Sequence, residues 1–100
     1  MCINLVAICD KEVVAKSLEH SCEKLGYNIS CEIQQEDGIL GKLSDETLDK
    51  ADAILIVTQK ELQQIEDMDR FKDRHYYQVL PIFIMQDAIN IISEVVNDLK

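Results

Sequence analysis

The sequence predicts an α/β fold, a three-layer sandwich in which helices cover both faces of a four-stranded parallel sheet. Short apolar or alternating segments, typical of strands, take turns along the chain with longer segments of helical periodicity. The continuous apolar run at residues 53–58 is typical of a central parallel strand, which is buried on both faces. With 100 residues, three Gly and one Pro, the chain is expected to form a single domain, residues 1–100.

The charge and the apolar pattern exclude several function classes. The formal net charge is −9, from 19 acidic and 10 basic residues, whereas proteins that bind nucleic acid present basic patches to the phosphates. We therefore expect no nucleic-acid partner and no direct binding to an anionic membrane. No run approaches the roughly 18 to 20 apolar residues of a membrane span. The N-terminus lacks the pattern of a signal peptide, so the expected location is the cytoplasm.

The four cysteines, Cys2, Cys9, Cys22 and Cys31, form no CxxC pair. In a reducing cytoplasm they are expected to remain free thiols. Three of them, Cys2, Cys22 and Cys31, fall on predicted core faces, where a free cysteine behaves as a small apolar residue. The sequence offers no set of four zinc ligands, and its first loop lacks the glycines of a flavin or nucleotide site. No metal and no cofactor are therefore expected.

The first strand and the first helix are predicted from residues 3–25. Residues 3–9 are apolar almost throughout, which predicts a buried strand, and Asp10 is expected to cap the helix that follows. A helix over 11–25 is indicated by apolar residues at i, i+4, i+8 and i+11, namely Val14, Leu18, Cys22 and Leu25. Gly26 is expected to end this helix, because glycine readily takes the left-handed conformation of a C-cap.

The middle of the chain predicts a second strand, a loop, a short helix and a third strand. Residues 27–34 alternate between apolar and polar side chains, which indicates a strand with one polar face at the edge of the sheet. Residues 35–42 carry two glycines and are expected to form a loop. Ser44 is expected to cap a short helix, which precedes the third strand at 53–58.

The last third of the chain predicts a short helix, a fourth strand and a C-terminal helix. The short helix is expected over 60–68, with Leu62 and Ile65 turned inward. The strand is expected over 76–82, interrupted or ended by Pro81. The apolar residues that mark the final helix are Ala88, Ile91 or Ile92, Val95 and Leu99. The acidic side chains expected to face solvent are Glu61, Glu66, Asp67 and Asp69.

The connections between these elements predict the strand order and the place of a site. Right-handed crossovers and a polar edge at the second strand give the order 2-1-3-4, a Rossmann- or flavodoxin-like arrangement. Such sheets bind ligands beyond the carboxyl ends of the strands, where the order reverses. That point lies between strands one and three, beside Cys9. The residues expected to flank it from neighbouring loops are Gln34, Gln35, Gly38, Thr58 and Lys60.

The segment EIQQEDGILGKLSDETLDKADAILIVT, residues 32–58, resembles a motif of a known family. It is similar to the pattern E-T-Q-G-x-x-G-x-x-N-x-L-(T/S)-x-x-D-I-x-x-A-D-x-V-I-x-A. This pattern belongs to fructose-type enzyme IIB domains of the bacterial phosphoenolpyruvate-dependent sugar phosphotransferase system. The matching positions are Glu32, Gln34, Gly38, Leu43, Ser44, Ala51 and Asp52. DRF at 69–71 and YYQV at 76–79 extend the resemblance over nearly the full length.

This resemblance implies a phosphoryl relay. Family members hold a phosphocysteine in a loop of the form C-P-x-G-x-A-H-T after the first strand. Its thiolate takes a phosphoryl group from a IIA protein and passes it to sugar at the membrane protein IIC. Here the connection between the first strand and the first helix is shorter by roughly seven residues, about one connecting loop. The Pro, Gly, His and Thr of the loop have no counterparts.

Two interpretations of Cys9 stay open. As a nucleophile it would accept the phosphoryl group, because a helix N-terminus lowers the pKa of a thiol. The backbone N–H groups of Asp10, Lys11 and Glu12 would then hold the anion, although the Asp10 carboxylate would repel it. The chain would be a phosphotransferase working with IIA and IIC.

Alternatively, Cys9 is a buried strand residue. The chain is then a non-catalytic IIB-like module that docks to phosphotransferase-system proteins or to a regulator. In both cases it would meet a membrane transporter only through a partner protein.

Overall fold

The structure is a computed structural model that describes residues 3–61, 64–65 and 68–99. Its elements in chain order are β1 (Asn4–Cys9), α1 (Glu12–Leu25), β2 (Asn28–Gln35), β3 (Gly38–Leu40), α2 (Asp45–Lys50), β4 (Ala53–Val57), a 3-10 helix (Met68–Phe71), β5 (Tyr76–Val79) and α3 (Pro81–Asp98). The predicted α/β class and three-layer sandwich are confirmed. No helix in the described part of the chain is long and apolar enough to cross a membrane.

The sheet has five strands in the order β3-β2-β1-β4-β5. The four parallel strands β2, β1, β4 and β5 stand in the predicted order. The prediction of a loop over the whole of 35–42 is wrong, because these residues contain β3, which pairs antiparallel with β2. Gln35 pairs with Gly38 across a two-residue turn, so the last three residues of β2 are flanked on both sides and β3 forms this edge of the sheet. Three residues are too few for alternation to reveal a strand.

The strand residues alternate between two cores. Leu5, Ala7 and Cys9 of β1 face the layer formed by α1 and α3. Val6 and Ile8 face the opposite layer, which holds α2 and Phe71 of the 3-10 helix. The predicted apolar stripe of α1 packs as expected, with Val14, Leu18 and Cys22 buried and Leu25 partly buried. Gly26 ends α1 with a φ of 80°, as the C-cap prediction required.

The C-terminal helix begins earlier than the sequence suggested. Strand β5 stops at Val79, and Pro81 is the first residue of α3 rather than part of a strand. Proline suits the first helical position, since no hydrogen bond is lost there and its fixed φ is already helical. The helix is interrupted at Asp87, whose φ is −162°. The Asp87 carboxylate accepts a hydrogen bond from the backbone N–H of Asn90 at 3.1 Å and thereby caps the second half.

The predicted helix at 60–68 lies only partly within the described residues. Leu62, Glu66 and Asp67 of this helix lie outside them, and so does Cys2 near the N-terminus. Within the described part, Ile65 is buried as expected. The next described residues form the 3-10 helix, which buries Phe71 completely. Asp69 in this helix is exposed, as predicted for an acidic residue that faces solvent.

Replacing Ser44 with alanine is expected to lower the free energy of unfolding by about 1 kcal/mol. The Ser44 hydroxyl accepts a hydrogen bond from the Thr47 backbone N–H at 3.2 Å and thus caps α2 as predicted. Urea denaturation of the variant would measure this loss. The control is Ser30→Ala, at an exposed strand position, which should change stability by less than about 0.5 kcal/mol. Equal effects of the two changes would contradict a capping role.

Candidate functional site

Cys9 lies at the point where the strand order reverses. It is the last residue of β1, and it pairs with Val57 at the end of β4 and with Ile33 of β2. The chain therefore places Cys9 at the carboxyl edge of the central strands, where this type of sheet binds ligands. Its side chain, however, points into the core beneath α1. Cys9 is only 1% exposed and belongs to the same apolar cluster as Val14 and Leu18.

The surroundings of Cys9 hold its thiol in the protonated form. A hydrogen bond with the thiol of Cys31, then burial, and then the negative charges of Asp10 and Glu19 all raise the pKa of Cys9 above its ordinary value. Cys31 itself contacts the backbone carbonyl of Ala15 at 3.9 Å. Since the thiolate is the nucleophilic form of cysteine, this environment disfavours nucleophilic chemistry at Cys9.

Cys9 is expected to resist thiol reagents in the folded protein. Its labelling by N-ethylmaleimide, followed by mass spectrometry of the peptides, should be roughly a hundredfold slower than that of an exposed thiol, because reaction requires local opening. The matched exposed thiol is provided by Ser30→Cys on β2. In urea the two sites should react at similar rates. Fast labelling of Cys9 in the folded chain would contradict the buried position.

Asp10 connects the ends of the two central strands. Its Oδ2 accepts a hydrogen bond from the Thr58 hydroxyl at 3.3 Å, and that hydroxyl accepts one from the Lys60 backbone N–H at 3.1 Å. The structure thus brings the predicted residues Cys9, Asp10, Thr58 and Lys60 to one place. The other Asp10 oxygen, Oδ1, is buried and accepts no hydrogen bond from the described residues. A carboxylate here places negative charge where an anion would have to bind.

The start of α1 differs from the predicted one. The N-cap is Lys11 instead of Asp10, and its side chain makes no capping hydrogen bond. The chain crosses from β1 to α1 through Asp10 and Lys11 alone, so Asp10 is too close to the strand end to serve as a cap. Glu12 is exposed, and its carboxylate lies 3.5 Å from Lys16 Nζ. The side chain of Lys11 therefore does not cap the first-turn N–H groups.

The remaining predicted residues are not gathered around Cys9. Gln34 is buried on the opposite face of the sheet, where its Nε2 donates to Glu32 Oε2 at 2.9 Å. Gln35 and Gly38 are exposed and pair with each other at the hairpin between β2 and β3. Gln35 is the last residue of β2 and Gly38 the first residue of β3, whereas Gln34 forms part of a separate polar cluster.

That cluster, the Glu32–Arg70 pair with its hydrogen-bond partners, is the main feature that sequence reasoning missed. Two parallel hydrogen bonds join Arg70 to Glu32, Nη1 to Oε1 at 2.8 Å and Nη2 to Oε2 at 2.9 Å. The backbone N–H of Leu43 donates to Glu32 Oε1 at 2.9 Å, and Arg70 Nη1 donates to the Leu43 carbonyl at 3.2 Å. The Arg70 guanidinium carbon lies 4.7 Å from the ring centre of Phe71.

The pair connects three segments that are distant in sequence. Glu32 comes from β2, Leu43 precedes α2, and Arg70 belongs to the 3-10 helix. Burial by itself would raise the pKa of Glu32, but hydrogen bonds from Arg70, Gln34 and Leu43 and the Arg70 charge outweigh it and lower the pKa. The polar face of β2, which the sequence predicts to lie at the edge of the sheet, therefore contributes to an internal ion pair, and its residue Glu32 is fully buried. In the sequence, the only sign of this ion pair is that Glu32 and the segment DRF at 69–71 both resemble the family pattern.

A set of exposed large apolar side chains, here named the carboxyl-edge apolar surface, lies on the helices that follow β1 and β5. Its members are Val13, Leu80, Ile82, Phe83, Met85 and Ile89, each between 39% and 55% exposed. Val13 is in the first turn of α1, and the others lie at the start and in the first half of α3. The two helices pack against each other in one layer. Clustered exposed apolar residues are typical of contact surfaces between proteins.

Comparison with known proteins agrees with this fold and motif pattern. The family profile described as "PTS system, Lactose/Cellobiose specific IIB subunit" matches residues 12–98, and the chain belongs to this family. Among curated relatives, "PTS system fructose-like EIIB component 1" of Escherichia coli K12 is 30% identical over 83 residues, which are 83% of this chain and 74% of that protein. The resemblance to fructose-type IIB domains is therefore confirmed.

A longer curated relative and a solved structure of an enzyme IIB subunit are also similar to this chain. The "Fructose-like PTS system EIIBC component" of Escherichia coli K12 is 29% identical over 82% of this chain, which spans only 17% of that protein. The solution structure of an enzyme IIB subunit from the same strain has a TM-score of 0.88 and 25% identity, and covers 99% of this chain and 95% of that one. The family match begins at residue 12, after Cys9.

Proposed function

We propose that this chain is a fructose-type IIB domain that does not carry a phosphoryl group on Cys9. It acts instead as a docking or regulatory module. Its partner is a IIA or IIC component of the phosphotransferase system, or a regulator associated with that system. The observation that carries the proposal is the position of the Cys9 side chain, buried beneath α1 at 1% exposure. Any contact with a membrane transporter would be made through the partner.

Phosphoryl transfer to Cys9 would require a different arrangement. The thiol would have to lose its proton, and Sγ would have to reach the donor phosphorus as the bond to the donor breaks. Here the hydrogen bond with Cys31 and burial raise the pKa of the Cys9 thiol and so keep it protonated. Asp10 follows immediately, and its carboxylate would repel an incoming phosphoryl group. The short passage from β1 to α1 also leaves few backbone N–H groups to hold one.

The second candidate function is the phosphocysteine relay itself, from IIA through Cys9 to sugar at IIC. Two observations favour it. Cys9 stands at the carboxyl end of β1, where the strand order reverses, and the side chain of Lys11 does not cap the first turn of α1. Helix N-termini of this kind bind anions. This function would require that the start of α1 open and turn Cys9 outward.

A phosphorylation assay separates the two functions. The protein is incubated with labelled phosphoenolpyruvate, the general phosphotransferases and a panel of IIA proteins. The fructose-like EIIB component of Escherichia coli serves as positive control for each donor. We expect no label that depends on Cys9, so wild type and Cys9→Ala should give the same signal. Acid-stable, iodine-labile label on the wild type that disappears in Cys9→Ala would overturn the proposal and support the relay.

Docking itself is tested at the carboxyl-edge apolar surface. The variant Ile82→Ser with Phe83→Ser should weaken binding to the cognate IIA, IIC or regulator by about tenfold or more, since buried aromatic and aliphatic anchors carry much of the energy of an interface. Isothermal titration calorimetry of the panel measures this loss. The control is Leu40→Ser, an equally exposed apolar residue on β3. Binding that is insensitive to the first variant, or lost equally in the control, would place the contact elsewhere.

A further inference from the structure

Strand β5 ends the sheet on the side opposite to β3. Within the described residues it pairs only with β4. Every second residue of an edge strand directs its backbone N–H and C=O away from the sheet, and these groups can pair with an added strand. Strand β5 is four residues long, Tyr76–Val79. It can therefore accept a short extended segment.

A groove of about 520 Å³ runs beside this edge, between β5 and the second half of α3. The described residues that line it are Tyr76, Tyr77, Gln78, Val79, Ile91, Glu94, Val95 and Asp98. Val79 and Ile91 pack against the core cluster, and Val95 belongs to it, so they give the groove an apolar floor. Alternate side chains of an added strand would point into this groove, as in other cases of strand addition.

The rim of the groove is acidic. Among the described residues that line it, Glu94 and Asp98 are acidic and none is basic. They stand four residues apart on α3, a spacing at which like charges repel and destabilise a helix. The Tyr77 hydroxyl donates to Asp98 Oδ2 at 2.6 Å, which fixes the position of this carboxylate at the mouth of the groove. A cationic side chain placed between the two carboxylates would relieve their repulsion.

From the open edge, the adjoining groove and its acidic rim, we propose that β5 and α3 form a docking site for an extended segment of a partner protein. The segment adds to the sheet as a further strand and carries apolar residues and a Lys or Arg at every second position, so that these side chains all face α3. Its apolar side chains enter the groove, and a Lys or Arg binds between Glu94 and Asp98. A second copy of this chain fits poorly, because each copy carries a net charge of −9 and would bring two further carboxylates to the rim.

This site goes beyond the proposed function and does not depend on it. The groove lies at the sheet edge formed by β5, two strands away from Cys9. It involves the C-terminal half of α3, whereas the carboxyl-edge apolar surface involves mainly the first half. Failure of the Cys9 assay would therefore leave the groove untouched, and the experiment below uses neither a phosphoryl donor nor a variant of Cys9.

The probe is the blocked octapeptide Val-Thr-Lys-Thr-Val-Thr-Lys-Thr, whose valines and lysines share one face of a strand, titrated into the ¹⁵N-labelled full chain. We expect saturable amide shifts confined to β5 and the last turns of α3. Replacing Glu94→Gln together with Asp98→Asn should weaken binding by about five- to tenfold, the effect of removing partly exposed charge partners. The matched control is Glu23→Gln, an exposed acidic residue of α1, which should bind like wild type. A peptide that is N-methylated at every residue should not bind, because it has no backbone N–H group to donate to a strand edge.

Other outcomes overturn the proposal. Absence of saturable shifts, or shifts on β3 or on the carboxyl-edge apolar surface instead, would show that β5 is not the docking edge. Equal binding of the same octapeptide with glutamate in place of each lysine would show that the acidic rim does not select the partner. Concentration-dependent shifts of β5 without peptide, together with dimers in sedimentation equilibrium, would show that a second copy occupies the edge.

Discussion

Replacing Arg70 with methionine is expected to lower the free energy of unfolding by about 3–5 kcal/mol, as the loss of one partner of a buried ion pair does. Glu32 is fully buried, and the Arg70 side chain is only 12% exposed. Methionine keeps much of the volume of the arginine stem but leaves the Glu32 carboxylate without its cation. Urea denaturation at pH 7 measures the loss. A decrease smaller than about 1 kcal/mol would contradict the expected contribution of this ion pair to stability.

In Arg70→Met, the contribution of Glu32 to the free energy of unfolding should depend on pH in the opposite direction. In the wild type the folded-state pKa of Glu32 is lowered. Its contribution is therefore present above the unfolded value of about 4.3 and is lost as the pH falls below it. Without Arg70, burial dominates and raises the pKa of Glu32. The variant should then gain stability relative to its own value at pH 7 as the pH falls toward 5.

A second substitution tests whether the uncompensated charge causes the loss. In Glu32→Gln with Arg70→Met no charge remains buried, and the amide oxygen can still accept the hydrogen bond from the Leu43 backbone N–H. This double variant should be more stable than Arg70→Met by about 1–3 kcal/mol, since contacting residues are strongly coupled. It should also lose the reversed pH dependence. A double variant less stable than Arg70→Met would assign the loss to packing instead of charge.

Replacing Phe71 with alanine is expected to destabilise the fold by about 3–5 kcal/mol, the usual range for a buried phenylalanine. Phe71 is completely buried in the core between the sheet and α2. It ends the 3-10 helix that carries Arg70, and its ring lies beneath the guanidinium group. Its removal would leave a cavity and also loosen the support of the ion pair. Thermal or urea denaturation measures the total effect.

The matched control is the same substitution at Phe83, which is 49% exposed on α3. Phe83→Ala should change stability by less than about 1 kcal/mol. Combining Phe71→Ala with Arg70→Met should give less than the sum of the single effects, because both changes affect one contact. Strict additivity would show that the ring and the guanidinium group act independently.

The Glu32–Arg70 pair and Phe71 stabilise the side of the sheet opposite to Cys9. The ion pair joins β2 to the segment before α2 and to the 3-10 helix on one side of the sheet. Cys9 belongs to the core on the other side. Residues of the family pattern, such as Glu32 and Gln34, thus support the scaffold rather than the region around the thiol. A chain that retains them can keep the IIB fold although only Asp10 and Lys11 connect β1 to α1.

Some departures from the sequence prediction have local causes. Strand β3 has only three residues, so its pattern is too short to distinguish from a loop. Pro81 is compatible with the interruption or end of a strand, but proline is equally suited to the first position of a helix, where it lies here. Ile82 is included in the predicted strand at 76–82 because it is apolar, although in α3 it is exposed.

The sequence by itself determined the family and, except for β3, the strands of the sheet and their order, because alternation, helical spacing and turn residues are local properties of a chain. It also placed Cys9 at the end of β1. Only the tertiary structure decided where its side chain points, since β1 is apolar on both faces and its pattern does not distinguish them. Likewise, the polar alternation of β2 could not reveal that Glu32 is buried. Its cationic partner lies 38 residues away, and only the packed fold brings the two charges together.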